Sequence, residues 1–252
     1  MNLGPKRDHP LVSIIIATYN AGAQLQECLA SIDQQTYDNI EVVIIDGGST
    51  DSTSEIVKSF KGRSITCVSE KDKGIYDALN KGIKLAKGDW LYFMGSDDRL
   101  LPDFSLLASK LKDPNTIYYG NTHENYDQEN KPSFTILTGE FTKYRLAKYC
   151  VNHQAIIYPA KAFIKYSYDT KYKVFADYAL NLALWGDSDF RRKHYELTIV
   201  SYYMSGFSSL NEDIIFKQEK AALIKKNLGW IIYLRFMLKK IKKRRRGETD
   251  FD

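Results

Sequence analysis

Cysteine is scarce in this chain: Cys28, Cys67 and Cys150 are odd in number, far apart and without metal-type spacing. That excludes a disulfide framework and leaves three free or buried thiols of a reducing compartment. Long apolar runs are missing too, since no stretch reaches the roughly 18–20 residues that span a bilayer. The opening MNLGPKRDHP lacks the apolar core of a signal peptide, so the sequence predicts a cytoplasmic chain. The four histidines are scattered, none at the i, i+4 spacing of a zinc helix. Neither G-x-G-x-x-G nor G-x-x-x-x-G-K-[ST] occurs, which removes the main support for a dinucleotide site or a P-loop. There is no internal repeat and no low-complexity linker.

A net positive charge is missing from most of the chain. Residues 235–246 hold Arg235, Lys239, Lys240, Lys242, Lys243, Arg244, Arg245 and Arg246 and no acid; without these eight the net +5 becomes −3. A mildly acidic body with a basic end argues against a nucleic-acid groove across the fold. Apolar residues at 44% are enough for a packed core. The aromatic share is 13%, with eighteen tyrosines, which suits sugar or base stacking and equally an ordinary half-buried surface.

From Leu11 short β-branched runs alternate with amphipathic segments. Leu11–Ala17, Ile40–Asp46, Ser64–Ser69 and Asp89–Gly95 read as strands, the first two apolar enough to be buried on both faces. Ala21–Gln35 and Ile75–Ala86 have helical spacing, and Ser52 with Glu55 forms a capping-box pattern before another helix. Pro102 suits the first turn of the next. This pitch predicts βαβ units with right-handed crossovers, hence an α/β fold with a mostly parallel sheet. Residues 120–150 suit a loop or an antiparallel extension. Helical spacing returns near Ala160–Lys165 and Asp177–Trp185, Glu196–Met204 reads as a strand, and Leu210–Ile241 as one or two helices. The expected organisation is an extension at 1–9, a catalytic domain at 10–209 and a helical basic tail at 210–252.

Ligands of open α/β sheets bind beyond the carboxyl ends of the strands. Four such ends here are polar, Gly-rich or acidic: Thr18-Tyr19-Asn20, Asp46 with Gly47-Gly48-Ser49-Thr50-Asp51, Glu70-Lys71-Asp72-Lys73-Gly74, and Gly95-Ser96-Asp97-Asp98. Adjacent carboxylates after a strand as apolar as WLYFM repel each other unless a cation sits beside them. A divalent ion bridging to phosphates fits, and so does a turn that caps the next helix. Asp46 can accept from a base N–H or a ribose hydroxyl, while Asp51 or Ser52 caps the helix behind it.

Together these stretches resemble the family 2 glycosyltransferases, whose catalytic domain has the GT-A fold. The similarity lies in VSIIIATYNAGAQLQECLASIDQQTYDNIEVVIIDGGSTDST, DKGIYDALNKGIKLAKGDWLYFMGSDD, VNHQAIIY and FADYALNLAL. The resemblance implies an inverting transfer of sugar from a nucleotide diphosphate, of UDP type, to a hydroxyl of a lipid-linked or oligosaccharide acceptor. It implies that Thr18, Tyr19, Asn20, Asp46, Lys73, Asn80 and Asp97 line the nucleotide pocket. By the same resemblance Asp97 and Asp98 would hold manganese or magnesium, Asp177 would be the general base, and His153 and Gln154 would lie near acceptor or phosphates. Assembly of a surface polysaccharide such as capsule or O-antigen is a further expectation. Gly47 and Gly95 stand where many relatives have an Asp, Ala21 replaces an acid that often follows Tyr-Asn, and Ala176 one that often precedes the base. A sugar nucleotidyltransferase and a non-catalytic nucleotide-sugar-binding relative remain as alternatives at this point.

The apolar, aromatic stretch from Leu228 followed by the cationic run suits a helix lying on an anionic membrane through residues 228–246. The other reading is a helix packed on the body with a solvated end.

Overall fold

Apolar side chains on both faces commit a strand to the middle of a layered fold, and the first strand shows how this is done. The computed structural model describes residues 9–125, 134–137, 139–203 and 212–247. In β1 (Val12–Thr18), Val12, Ile14 and Ile16 enter one apolar cluster, while Ile15 belongs to another on the opposite face. The chain continues through α1 (Gly22–Asp33), β2 (Ile40–Asp46), α2 (Thr53–Ser59), β3 (Ser64–Ser69), α3 (Ile75–Leu85) and β4 (Trp90–Gly95). Then come β5 (Arg99–Leu100), α4 (Asp103–Ala108), β6 (Thr116–Asn125), β7 (Phe134–Leu137) and α5 (Lys143–Lys148). A 3-10 turn (His153–Ala155) leads into β8 (Ile156–Pro159), followed by α6 (Ala162–Lys165), α7 (Ala176–Gly186), β9 (Arg191–Tyr203), α8 (Ile214–Leu228) and α9 (Trp230–Arg245).

The sheet runs β3-β2-β1-β4-β8-β6-β9-β5, with β7 paired to β6. Its first four strands are parallel, as βαβ connections require, and β6 and β9 also run parallel. The ladders of β8 with β4 and β6, of β7 with β6 and of β5 with β9 are antiparallel. Helices α3, α5, α7, α8 and α9 contribute to one apolar cluster; α1 and α4 contribute to the other. Gly82 permits close packing of α3 on β1, since a Cβ there would lie 2.4 Å from Ile15 Cγ2.

The apolar runs locate β1 to β4 within about a residue. Two expectations needed correcting, on the cap of α2 and the start of β9, and the one between them was met. Ser52 stands at the N-cap of α2 but makes no side-chain capping bond; the neighbouring Asp51 accepts from Thr53 N (3.0 Å) and Gly22 N (2.9 Å) instead. The antiparallel extension expected after Tyr119 is the hairpin of β6 and β7. The strand expected at Glu196 begins at Arg191, because its polar start is fixed by pairing with β6 rather than by apolar content.

The tail does not stand apart from the body. Phe216, Ile224, Leu228 and Phe236 share a cluster with Leu182, Leu184 and Trp185 of α7, and the Arg235 guanidinium lies 4.2 Å from the Tyr144 ring centre. Residues 1–8 of the expected extension, the expected boundary at 209–210, part of the 120–150 stretch and residues 248–252 lie outside the described residues. Among the described residues no helix is long and apolar enough to cross a membrane.

Candidate active site

The parallel register brings the ends of β1, β2 and β4 level, Thr18 opposite Asp46 and Ala17 opposite Gly95. Thr18 is buried and its Oγ1 has no hydrogen-bond partner among the described residues, an orphan that a ligand at this rim would satisfy. Tyr19 is 65% exposed beside it. Asn20 takes a left-handed conformation (φ 49°), which asparagine tolerates, with its Oδ1 accepting from Thr50 N at 2.9 Å and its own N–H donating to Ser49 Oγ at 2.7 Å. Asp46 is buried and accepts from Ser49 N (3.1 Å), Ser69 Oγ (2.5 Å) and Ser49 Oγ. These bonds fix its carboxylate at the end of β2.

A carboxylate from outside that turn fills the place left by Gly47. A Cβ at residue 47 would lie 2.9 Å from Asp72 Oδ2, so Asp72 and an Asp at 47 would compete for one space. Sequence reasoning assigned Asp72 no role, although it sits in the Glu70–Gly74 rim segment. Lys73 lies in the same turn and its backbone N–H donates to Asp77 Oδ2 at 3.1 Å. Asn80 is engaged within the protein through both ends of its side-chain amide. Its Nδ2 donates to Tyr168 O (2.8 Å) and its Oδ1 accepts from Tyr168 N (3.0 Å), so both ends of the amide clamp a distant loop.

A cavity of about 340 Å³ opens next to this rim, with Ala17, Asp97, His153, Gln154 and Asp177 among its lining. Thr18, Tyr19, Asn20 and Asp46 form a second group beyond Ala17, on the β1–β2 side. At the end of β4, Asp98 is fully buried; it accepts from Gly95 N (2.8 Å), Gln154 Nε2 (3.3 Å) and Tyr203 N (3.3 Å). Burial, and next the neighbouring Asp97 charge, push the Asp98 carboxyl up to about 7. Burial likewise raises Asp97. Two desolvated neighbouring carboxylates form a donor set that a divalent cation would relieve of their repulsion, so the residues fit a hard metal ion. Among the described residues no group of three or more His, Cys, Asp or Glu is arranged to hold one, so phosphate and water oxygens would have to complete it. At Gly95 an added Cβ would stand 2.5 Å from Asp97 Oδ1, so only glycine leaves that carboxylate its present place.

The opposite wall is built around Asp177, in the first turn of α7 and only 8% exposed. Its Oδ1 is 3.0 Å from the Tyr76 hydroxyl, whose single proton is shared between this oxygen and Val174 O, and its Oδ2 is 3.1 Å from His153 Nδ1. Cys150 Sγ stands 4.0 Å from the same oxygen, its thiol held well above the usual range, first by burial and then by the Asp177 charge. The 3-10 turn thus offers His153 to Asp177 and Gln154 to Asp98, tying the two walls through consecutive residues. Tyr76 and Cys150 were not found from sequence, because nothing local reveals partners 101 and 27 residues away.

A parallel half-sheet with a polar rim, joined to a cavity carrying two carboxylate centres, is an α/β fold of the GT-A type. The family model described as "Glycosyl transferase family 2" matches residues 13–215, and the chain belongs to that family. It is a transferase acting on sugars. It is 34% identical over 218 residues to a PGL/p-HBAD biosynthesis glycosyltransferase of Mycobacterium bovis, covering 83% of this chain and 82% of that protein. It is 30% identical over 150 residues to the glycosyltransferase GlyG of Streptococcus pneumoniae, covering 58% and 48%. Among solved structures, S. aureus TarS 1–349 in complex with UDP-GlcNAc has the same fold, with a TM-score of 0.69 at 17% identity, over 86% of this chain and 66% of that one. The mannosyltransferase PcManGT of Pyrobaculum calidifontis, in complex with GDP-Man and Mn2+, gives a TM-score of 0.56 at 19% identity, over 75% and 55%.

Proposed function

We propose that the protein is an inverting, divalent-cation-dependent glycosyltransferase that moves a sugar from a nucleotide diphosphate, of UDP type, to a hydroxyl of a lipid-linked or glycan acceptor. The observation that carries this reading is the presence, in one cavity, of Asp97 beside the strand-end rim and of the Asp177 centre. Complexes of TarS with UDP-GlcNAc and with UDP support the choice of donor.

Thr18, Tyr19, Asn20 and Asp46 would hold base and ribose, with Asp72 in the space left by Gly47 and Lys73 nearby. Manganese or magnesium at Asp97 and Asp98 would neutralise the charge growing on the leaving diphosphate. Gln154 keeps Asp98 in place, and the Asp177 centre takes the proton from the attacking hydroxyl. One displacement with one proton acceptor inverts the anomeric centre. Calorimetric titration with UDP, in manganese and then in EDTA, tests the donor half. Metal-dependent binding that vanishes in Asp98→Ala is expected; binding indifferent to metal, or none to UDP, GDP or dTDP, overturns it.

The acceptor's place at an anionic membrane is supported by α9. Ile231 (75% exposed), Leu234, Leu238 (59%) and Ile241 form an outward apolar stripe at i, i+3, i+7, i+10, while Phe236 on another face is buried. The cationic residues from Lys239 onward continue the same helix. An apolar stripe edged by cations suits the headgroup region of anionic bilayers. Leu234→Glu with Leu238→Glu is expected to release the protein from phosphatidylglycerol vesicles and leave UDP binding unchanged; retained vesicle binding removes the membrane from the proposal.

A further inference from the structure

The proton acceptor can be assigned more narrowly than to the Asp177 centre as a whole. Both Asp177 oxygens already have polar partners inside the protein, Tyr76 Oη on one and His153 Nδ1 on the other. An ionised carboxylate only accepts, so the Nδ1 of His153 carries the hydrogen of that bond and Nε2 is left with a lone pair. Among the described residues Nε2 has no partner, and the ring, like Asp177, lines the cavity. His153 stands beside Gln154, which touches the Asp98 carboxylate, so one short turn joins the Asp177 centre to the carboxylates at the end of β4.

We propose that His153 Nε2 is the atom that removes the acceptor's proton, and that Asp177 is the positioning residue holding the ring in the Nδ1–H tautomer. This rests on the reading of the Asp177 centre as the deprotonating group. As the acceptor oxygen forms its bond to the anomeric carbon, the bond from that carbon to the diphosphate breaks and its electron pair leaves with the diphosphate. The hydroxyl proton passes to the Nε2 lone pair, and the imidazolium faces a carboxylate that stays ionised. A carboxylate that orients a ring and offsets its new charge is a general arrangement for activating a hydroxyl.

Two measurements on the full chain test this. In the free protein labelled with 15N-histidine, long-range proton–nitrogen spectra at neutral pH are expected to show His153 as the Nδ1–H tautomer, and Asp177→Asn is expected to disturb it. An Nε2–H tautomer in the unmodified protein overturns the proposal. Turnover is then read as UDP release from UDP-glucose, UDP-galactose or UDP-N-acetylglucosamine with manganese. His153→Asn keeps an amide donor for Asp177 and a folded wall but has no ring base. It is expected to bind UDP as the unmodified protein does and to turn over about 10²- to 10⁴-fold more slowly, as His153→Ala does. Recovery by His153→Asn to within tenfold of the unmodified rate means that the ring only positions Asp177, and overturns the assignment. If Asp177→Asn is inactive while His153→Asn is active, only the histidine falls; if Asp177→Asn stays active, the deprotonating centre itself is misplaced.

Discussion

The two halves of the site are made in opposite ways. On the donor rim, Asp46 is held chiefly by its own turn, and Thr18, Gly47 and Gly95 follow directly from the register of adjacent parallel strands. On the acceptor wall, Asp177 from α7 meets Tyr76 from α3, His153 from the 3-10 turn and Cys150 from the segment before it. The first arrangement tolerates local change because Asp46 is fixed chiefly within its own turn. The second depends on packing of the helical layer, so one lost partner disturbs several groups at once.

Asp177→Asn is expected to divide the halves most sharply. Turnover should fall by about 10²- to 10⁴-fold while UDP affinity by calorimetry stays within about threefold. If both fall together, the two walls are one unit and the comparison breaks.

Asp98→Asn probes the buried end of the donor side. The folded protein holds the Asp98 proton up to about pH 7, whereas the unfolded chain releases it near 4. Between those values the folded state binds more protons, so in EDTA stability should fall as pH rises from about 4 to 7 and stay low above that. The full effect is on the order of 4 kcal/mol. Urea denaturation of Asp98→Asn is expected to lack this slope, and added manganese should reduce it in the unmodified protein. An identical slope in both would show that Asp98 is not its source.

Asn80→Ala is expected to cost about 1–3 kcal/mol in urea denaturation, since two bonds to Tyr168 are lost, with UDP affinity unchanged. A weaker UDP affinity at equal stability would return Asn80 to the nucleotide pocket. The smallest effect belongs to Gly47→Asp, which sets a second carboxylate against Asp72. A loss of roughly tenfold in UDP affinity, about 1.4 kcal/mol, is expected, with partial recovery on adding Asp72→Asn. No recovery would show that the two positions do not compete.

Much of the donor rim was legible in the chain itself. Apolar runs such as IEVVIID locate buried strands, and polar residues that end them must collect along one edge of a parallel sheet. The clamp role of Asn80 was not legible, because an amide on a helix says nothing about a loop 88 residues away. Nor was β8, whose four residues gain strand identity from pairing with β4 and β6. The basic end was legible as a cationic helix, but the stripe it exposes follows from which face Phe236 buries.

The sequence by itself determined the layered α/β class, the family and the carboxylates at the ends of β2 and β4, because period and composition act over a few residues at a time. Only the tertiary structure decided that Asp177 is shared between Tyr76 and His153, that Asp72 takes the space beside Gly47, and that Asp98 is buried deeply enough to hold its proton. Those outcomes depend on distances and desolvation across packed layers, which no local pattern encodes.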